Sequence, residues 1–142
     1  MTDKRIIEIF DTTLRDGAQG EGISYSVRDK LYIMRALDEF GVDYIEAGNP
    51  GSNPKDAEFF KSAAKTPLRC AKLCAFGATR RKKLKANEDS GLESLIAAEA
   101  PSIAIFGKAH LLRFAAGQDG ATITSFSGLE PRYHRRNGFT HP

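Results

Sequence analysis

Between Ile6 and Gly48 the chain runs from a short branched-apolar stretch, through a charged loop and a stretch of helical period, into a second short apolar stretch. That succession constrains the fold more than any other feature, because two neighbouring strands joined through a helix must lie parallel. The first run, "IIEIF" from Ile6 to Phe10, is short and rich in branched residues, which predicts a strand buried on both faces, as in a parallel sheet. In "SVRDKLYIMRALDEFG", Ser26 and Asp29 form a capping box, Val27, Leu31, Met34 and Leu37 repeat at helical spacing, and Gly41 supplies the stop. "VDYIEAG", Val42 to Gly48, then reads as the second strand.

The alternation continues. "NPGSNP" from Asn49 is punctuated as a loop, and "KDAEFFKSAAK", Lys55 to Lys65, reads as a helix. "RCAKLCAF", Arg69 to Phe76, reads as a third strand, "DSGLESLIAAE", Asp89 to Glu99, as a third helix, and "SIAIF", Ser102 to Phe106, as a fourth strand. The order β-α-β-α-β-α-β predicts an α/β fold, with residues 1–108 as its structured part. After Lys108 no helical or alternating period is sustained, so residues 109–142 are expected to be an irregular or disordered tail.

Composition narrows the class. With 142 residues, 41% hydrophobic and 27% charged, the chain is expected to bury a core as a soluble globular domain. A net charge of +3, concentrated in "TRRKKLK" from Thr79 and "RYHRRNG" from Arg132, is too weak to argue for a nucleic-acid partner. No apolar run approaches the ~18 residues of a membrane span, and the first residues lack the apolar core of a signal peptide. Cys70 and Cys74 do not have Cys-x-x-Cys spacing and are expected to be two buried thiols on one face of a strand. A cytoplasmic location, with neither membrane nor nucleic acid as partner, is the expectation.

The chemistry is concentrated in "FDTTLRDGAQGEG", residues 10–22, where Asp11, Arg15, Asp16, Gln19 and Glu21 crowd the end of the first strand. Parallel α/β folds carry their catalytic groups at the carboxyl ends of the strands. There, Asp16 has the chemistry of an oxygen ligand for a divalent cation such as Mg²⁺ or Mn²⁺. Arg15 offers a planar fork of donors suited to a carboxylate or a developing oxyanion. By spacing alone, an Arg-Asp-Gly turn is a solvated turn more often than a site. Glu46 sits inside the second strand, where an unpaired charge is costly, and adjacent parallel strands are only ~5 Å apart. It can therefore approach Arg15 or Asp16, either as a structural ion pair or in a catalytic role. The basic run from Thr79 to Lys85 reads as a solvated loop or as a phosphate contact. Neither a Walker loop nor G-x-G-x-x-G is present, and His110, His134 and His141 lack metal-ligand spacing.

The strings "DTTLRDGAQGEG", "GVDYIEAGNPGSNPKDAEFF" and "AFGATRRK" resemble the DRE-TIM metallolyase, or pyruvate carboxyltransferase-type (HMGL-like), superfamily. The "PGSNPKD" loop and the "FGATRRK" strand end are most similar to its citramalate synthase branch. 2-Isopropylmalate and homocitrate synthases and hydroxymethylglutaryl-CoA lyase are the neighbouring branches. The resemblance runs from about Arg5 to Lys108. It implies a partial (β/α)8 TIM barrel, a divalent metal at the barrel mouth, and condensation of acetyl-CoA with pyruvate or another 2-oxo acid in branched-chain amino-acid biosynthesis. It implies Asp16 as metal ligand and Arg15 as the cation that polarises the keto oxygen. Gln19 would support the substrate site, and Glu46 would be the acidic residue that orders Arg15.

This sequence also departs from that family. It contains no His-x-His pair of the kind that completes the family's metal site, and Arg113 stands where members usually carry a histidine. A whole barrel takes ~250 residues. A reading-frame change or truncation between Lys108 and Arg113 is the expected origin, one that sequencing around codon 108 tests. The chain is accordingly expected to be catalytically inert alone, and its exposed strand edges are expected to promote self-association.

Overall fold

A computed structural model describes residues 6–107, which form an α/β unit. Its strands are β1 (Phe10–Asp11), β2 (Tyr44–Gly48), β3 (Lys72–Ala78) and β4 (Ser102–Phe106), and its helices are α1 (Val27–Phe40), α2 (Pro54–Ala63) and α3 (Ser90–Ala97). The sheet order is β1-β2-β3-β4 with every pairing parallel. Consecutive parallel strands joined by helices are the arrangement of part of a (β/α)8 TIM barrel. The expectations for residues 109–142, including His110, His134 and His141, lie outside the described residues.

Local chemistry accounts for the element boundaries. Ser26 and Asp29 make the reciprocal capping box at the start of α1, and Gly41 ends that helix in the left-handed region at φ 93°. Asn53 caps α2, with its side chain accepting the Lys55 N–H and Pro54 occupying the first turn, where its missing donor is harmless. Asp89 does the same for α3 by accepting from the Gly91 N–H.

Strand register divides the side chains between two faces. Ile45, Ala47, Leu73 and Ala75 join Met34 of α1, Phe59 and Phe60 of α2, and Leu92 and Leu95 of α3 in one buried core. Gly77 continues that face, since a Cβ there would come within 2.5 Å of Leu95. Tyr44, Glu46, Cys74 and Phe76 alternate onto the opposite face. α1 is also tied to the start of β3: the Asp38 carboxylate accepts N–H bonds from Arg69, Cys70 and Ala71 at 2.8, 2.9 and 2.8 Å.

Two expectations need correction. The run from Ile6 to Phe10 is not a strand buried on both faces: β1 begins only at Phe10, and Ile6 and Ile7 are 90% and 85% exposed. Among the described residues β1 pairs with β2 alone. Cys70 and Cys74 are likewise not two buried thiols on one strand face; Cys74 is buried but Cys70 is exposed. Cys70 precedes β3, in the lead-in held by Asp38, so strand alternation does not reach it. No helix among the described residues is long and apolar enough to cross a membrane.

Candidate functional site

The loop after β1 is a tightly wound turn. The Thr12 carbonyl accepts the N–H groups of Arg15, Asp16 and Gly17 at 3.1, 2.9 and 3.1 Å, and Asp11 accepts from the Thr13 N–H and hydroxyl. Leu14, 1% exposed, anchors this turn in the core. A turn pinned by one buried leucine and one shared carbonyl presents the next two residues, Arg15 and Asp16, at the carboxyl end of the sheet. A short 3-10 turn over Gly17–Gln19 follows, closed by the Gln19 N–H on the Asp16 carbonyl at 3.0 Å.

Arg15 is held from three sides. Its Nε donates to Glu46 Oε2 at 2.6 Å, its Nη1 donates to Asp16 Oδ1 at 3.0 Å, and its guanidinium carbon lies 4.3 Å from the centroid of the Phe76 ring. The Glu46 side chain is 4% exposed and that of Asp16 is 63% exposed. Among the described residues no hydrogen bond engages Nη2 of Arg15. A guanidinium fixed at Nε, stacked on a ring and open at its far edge is prepared to bind a planar oxyanion.

A cavity of about 360 Å³ opens between the loop after β1 and the loop after β2. Arg15 and Gln19 line it, together with Tyr25, Asn49 and Phe76. Of the four residues singled out in the sequence, Arg15, Asp16 and Glu46 thus form one connected cluster, and Gln19 joins Arg15 on the cavity wall. Asp16 and Glu46 are not on that wall.

The wall also includes a buried ion pair that the sequence reading missed. Lys30 Nζ donates to Asp56 Oδ1 at 2.5 Å and to the Ala47 carbonyl at 2.6 Å, while Asp56 Oδ2 accepts the Asn49 N–H at 2.9 Å. This network fixes the end of β2, where the register slips between Glu46 and Gly48. Gly48 has φ 132°, and a Cβ there would lie 2.3 Å from Asp56 Oδ2, so only glycine fits. The available signal was Lys30, a cation three residues after Val27 on the face of α1 that carries Met34.

Cys74 pairs in register with Glu46. Burial pushes its thiol up, against a hydrogen bond to Ser102, and the nearby Glu46 charge raises it further. It is therefore a poor nucleophile at neutral pH. The basic loop after β3 resolves toward scaffolding. Nη1 of Arg80 donates to the carbonyls of Arg81, Lys82 and Leu84, and Arg81 pairs with Asp89 and Ser90. Among the described residues no three His, Cys, Asp or Glu side chains form a group that could hold a metal ion. Asp16 supplies one exposed carboxylate of suitable chemistry, and Glu46 is already bound to Arg15.

Comparison with known proteins shows the family. Residues 6–115 match the HMGL-like family. The (R)-citramalate synthase of Aquifex aeolicus is 55% identical over 102 residues, covering 72% of this chain and 19% of that protein. That of Geobacter sulfurreducens is 52% identical over 103 residues, covering 72% and 20%. A 2-isopropylmalate synthase from Oceanobacillus iheyensis is 40% identical over 100 residues, covering 70% and 18%. The chain therefore spans about a fifth of the length of these curated relatives.

Proposed function

The chain belongs to the HMGL-like family, and on that premise we propose that residues 1–108 are the N-terminal half of the catalytic barrel of a citramalate synthase-like acyltransferase. The reaction joins the acetyl methyl carbon of acetyl-CoA to the keto carbon of pyruvate. Loss of a methyl proton gives the nucleophilic carbon, the new C–C bond turns the keto oxygen into an alkoxide, and that alkoxide takes up a proton. Water then cleaves the thioester, releasing citramalate and the CoA thiol. The residue that removes the methyl proton is not assigned among the described residues.

The observation that carries this reading is the fixed Arg15 guanidinium, bound through Nε by Glu46 and bordering the cavity. Its remaining edge binds the keto acid and stabilises the alkoxide as charge develops, without reorganising at that moment. Glu46 is a positioning residue: it holds the guanidinium plane and balances its charge. Gln19 adds a polar contact on the cavity wall. Asp16 contributes one oxygen ligand to a divalent cation, Mg²⁺ or Mn²⁺, and such an ion, when bound, would polarise the keto oxygen. The described residues do not complete a ligand set for that ion. The family's acyltransferases act on related 2-oxo acids, and pyruvate is favoured here by the higher identity to the citramalate synthases. The proposed location is cytoplasmic.

With Asp16 as one metal ligand and Arg15 on the cavity wall, the polypeptide is expected to bind a keto acid weakly. Titrating it with pyruvate while following the Arg15 Nε–H resonance tests the reading. Pyruvate should shift that resonance, and Arg15→Ala should abolish binding; equal binding by the variant would refute the assignment. Among the described residues no strand pairs with the outer edge of β1 or β4, which favours a second reading, that of an interaction module.

A further inference from the structure

We propose that the buried Lys30–Asp56 pair positions Arg15. By fixing the backbone that follows Glu46, the pair sets the direction of the Glu46 carboxylate and, through it, the guanidinium edge that meets the keto acid. The inference rests on the keto-acid reading above for its ligand, and on geometry alone for the link from Lys30 to Arg15.

The end of β2 is where the sheet stops holding its own backbone. Among the described residues the pairing with β1 ends at Ile45, and the pairing with β3 slips after Glu46, leaving Ala47 without a register partner. Gly48 follows at φ 132°. Side chains take over here. Lys30 Nζ, from α1, donates to the Ala47 carbonyl at 2.6 Å, and Asp56 Oδ2, from α2, accepts the Asn49 N–H at 2.9 Å. These two anchors lie on either side of Gly48, and the contact of Lys30 Nζ with Asp56 Oδ1 at 2.5 Å joins them. One network thus ties α1, α2 and the irregular end of β2 together. It does so directly after the residue that accepts Arg15 Nε at 2.6 Å.

Stability alone does not account for the pair. Both residues are buried, and the cost of taking two charges out of water offsets much of their attraction, so an apolar pair of similar volume would serve a core as well. What an apolar pair lacks is direction. Only hydrogen-bonding groups can engage the carbonyl on one side of Gly48 and the N–H on the other. The consequence reaches Arg15 because a hydrogen bond weakens steeply once its angle is lost, and a carboxylate swung away from Nε frees the guanidinium plane. Lys30 and Asp56 border the same cavity as Arg15. Their charged groups are engaged with each other and with the backbone, so they act on the site through β2.

NMR of the 142-residue polypeptide tests this on the Arg15 Nε–H, which reports its bond to Glu46 before pyruvate is added. The double variant Lys30→Met/Asp56→Leu removes the network without stranding a buried charge. Its Arg15 Nε–H should move upfield and exchange with water at least about tenfold faster. Its Kd for pyruvate should rise roughly tenfold, the scale of one charge-assisted hydrogen bond. Leu92→Ala, a core truncation in α3, should lower stability and leave that resonance in place. An unchanged Arg15 resonance in the double variant overturns the proposal even where pyruvate binding falls, since Lys30 would then act on the ligand directly. An equal shift in Leu92→Ala overturns it too, because general loosening would then explain the effect. If the double variant does not fold, Asp56→Asn decides on the same resonance, having one acceptor oxygen where the network uses two. A parent polypeptide that does not bind pyruvate removes the keto-acid reading, while its Arg15 resonance, compared with that of the variants, still decides the link to Lys30.

Discussion

Arg15 and Glu46 lie 31 positions apart in the chain, yet Nε of one is 2.6 Å from Oε2 of the other, across the seam between β1 and β2. Glu46 is the more enclosed partner, so removing the arginine leaves a buried, uncompensated charge. Arg15→Met should therefore cost about 3 kcal/mol of stability, and Glu46→Gln less. The double variant should recover part of the loss. Urea denaturation of the three proteins measures the coupling.

Lys30 and Asp56 are enclosed on both sides. Lys30→Met should destabilise by about 4–5 kcal/mol, and a double-mutant cycle with Asp56→Asn should give a coupling above about 1 kcal/mol. The loss should exceed that at Arg15, whose partly exposed side chain lets water screen what remains. Chemical denaturation again supplies the measurement.

Gly48→Ala should be worse than an ordinary glycine replacement. It adds a strained left-handed backbone to a clash with Asp56 and breaks the Asn49 N–H bond that depends on it. A loss of about 2–4 kcal/mol is expected, together with changed amide shifts around Asn49.

Acid sensitivity should centre on Asp89. Hydrogen bonds from the Arg81 side chain and backbone, opposed by burial and aided by the Gly91 N–H, hold its carboxyl down at about 2. A depressed folded-state pKa stabilises the protein above the unfolded value of 3.8, and that stability is lost as pH falls toward about 2. Asp89→Asn should be less stable than the parent at pH 7 and should converge with it below about pH 2. Asp38 acts in the same sense: burial opposes its ionisation, but the N–H bonds from Arg69, Ala71 and Cys70 outweigh it. Thermal melts across pH 2–7 follow both.

Local pattern was sufficient for much of this architecture. The capping box at Ser26 and Asp29, the stop at Gly41 and the span of β4 all follow from neighbours within a few residues, because helix caps and strand alternation are short-range. The pairing of Glu46 with a group on the β1 loop was also legible, since a charge inside an apolar strand requires a partner and the parallel order limits the choice.

Long-range contacts carried the rest. Whether Ile6 and Ile7 are buried depends on what lies beyond β1, which no local pattern records, and the exposure of Cys70 depends on Asp38 reaching across from α1. The sequence leaves the Arg15–Glu46 contact open between an ion pair and a catalytic role, and only the tertiary structure places Phe76 and a cavity beside Arg15. Sequence spacing reveals period and chemistry; burial and the partner of a charge are set by residues 26 to 34 positions away, brought close by packing alone.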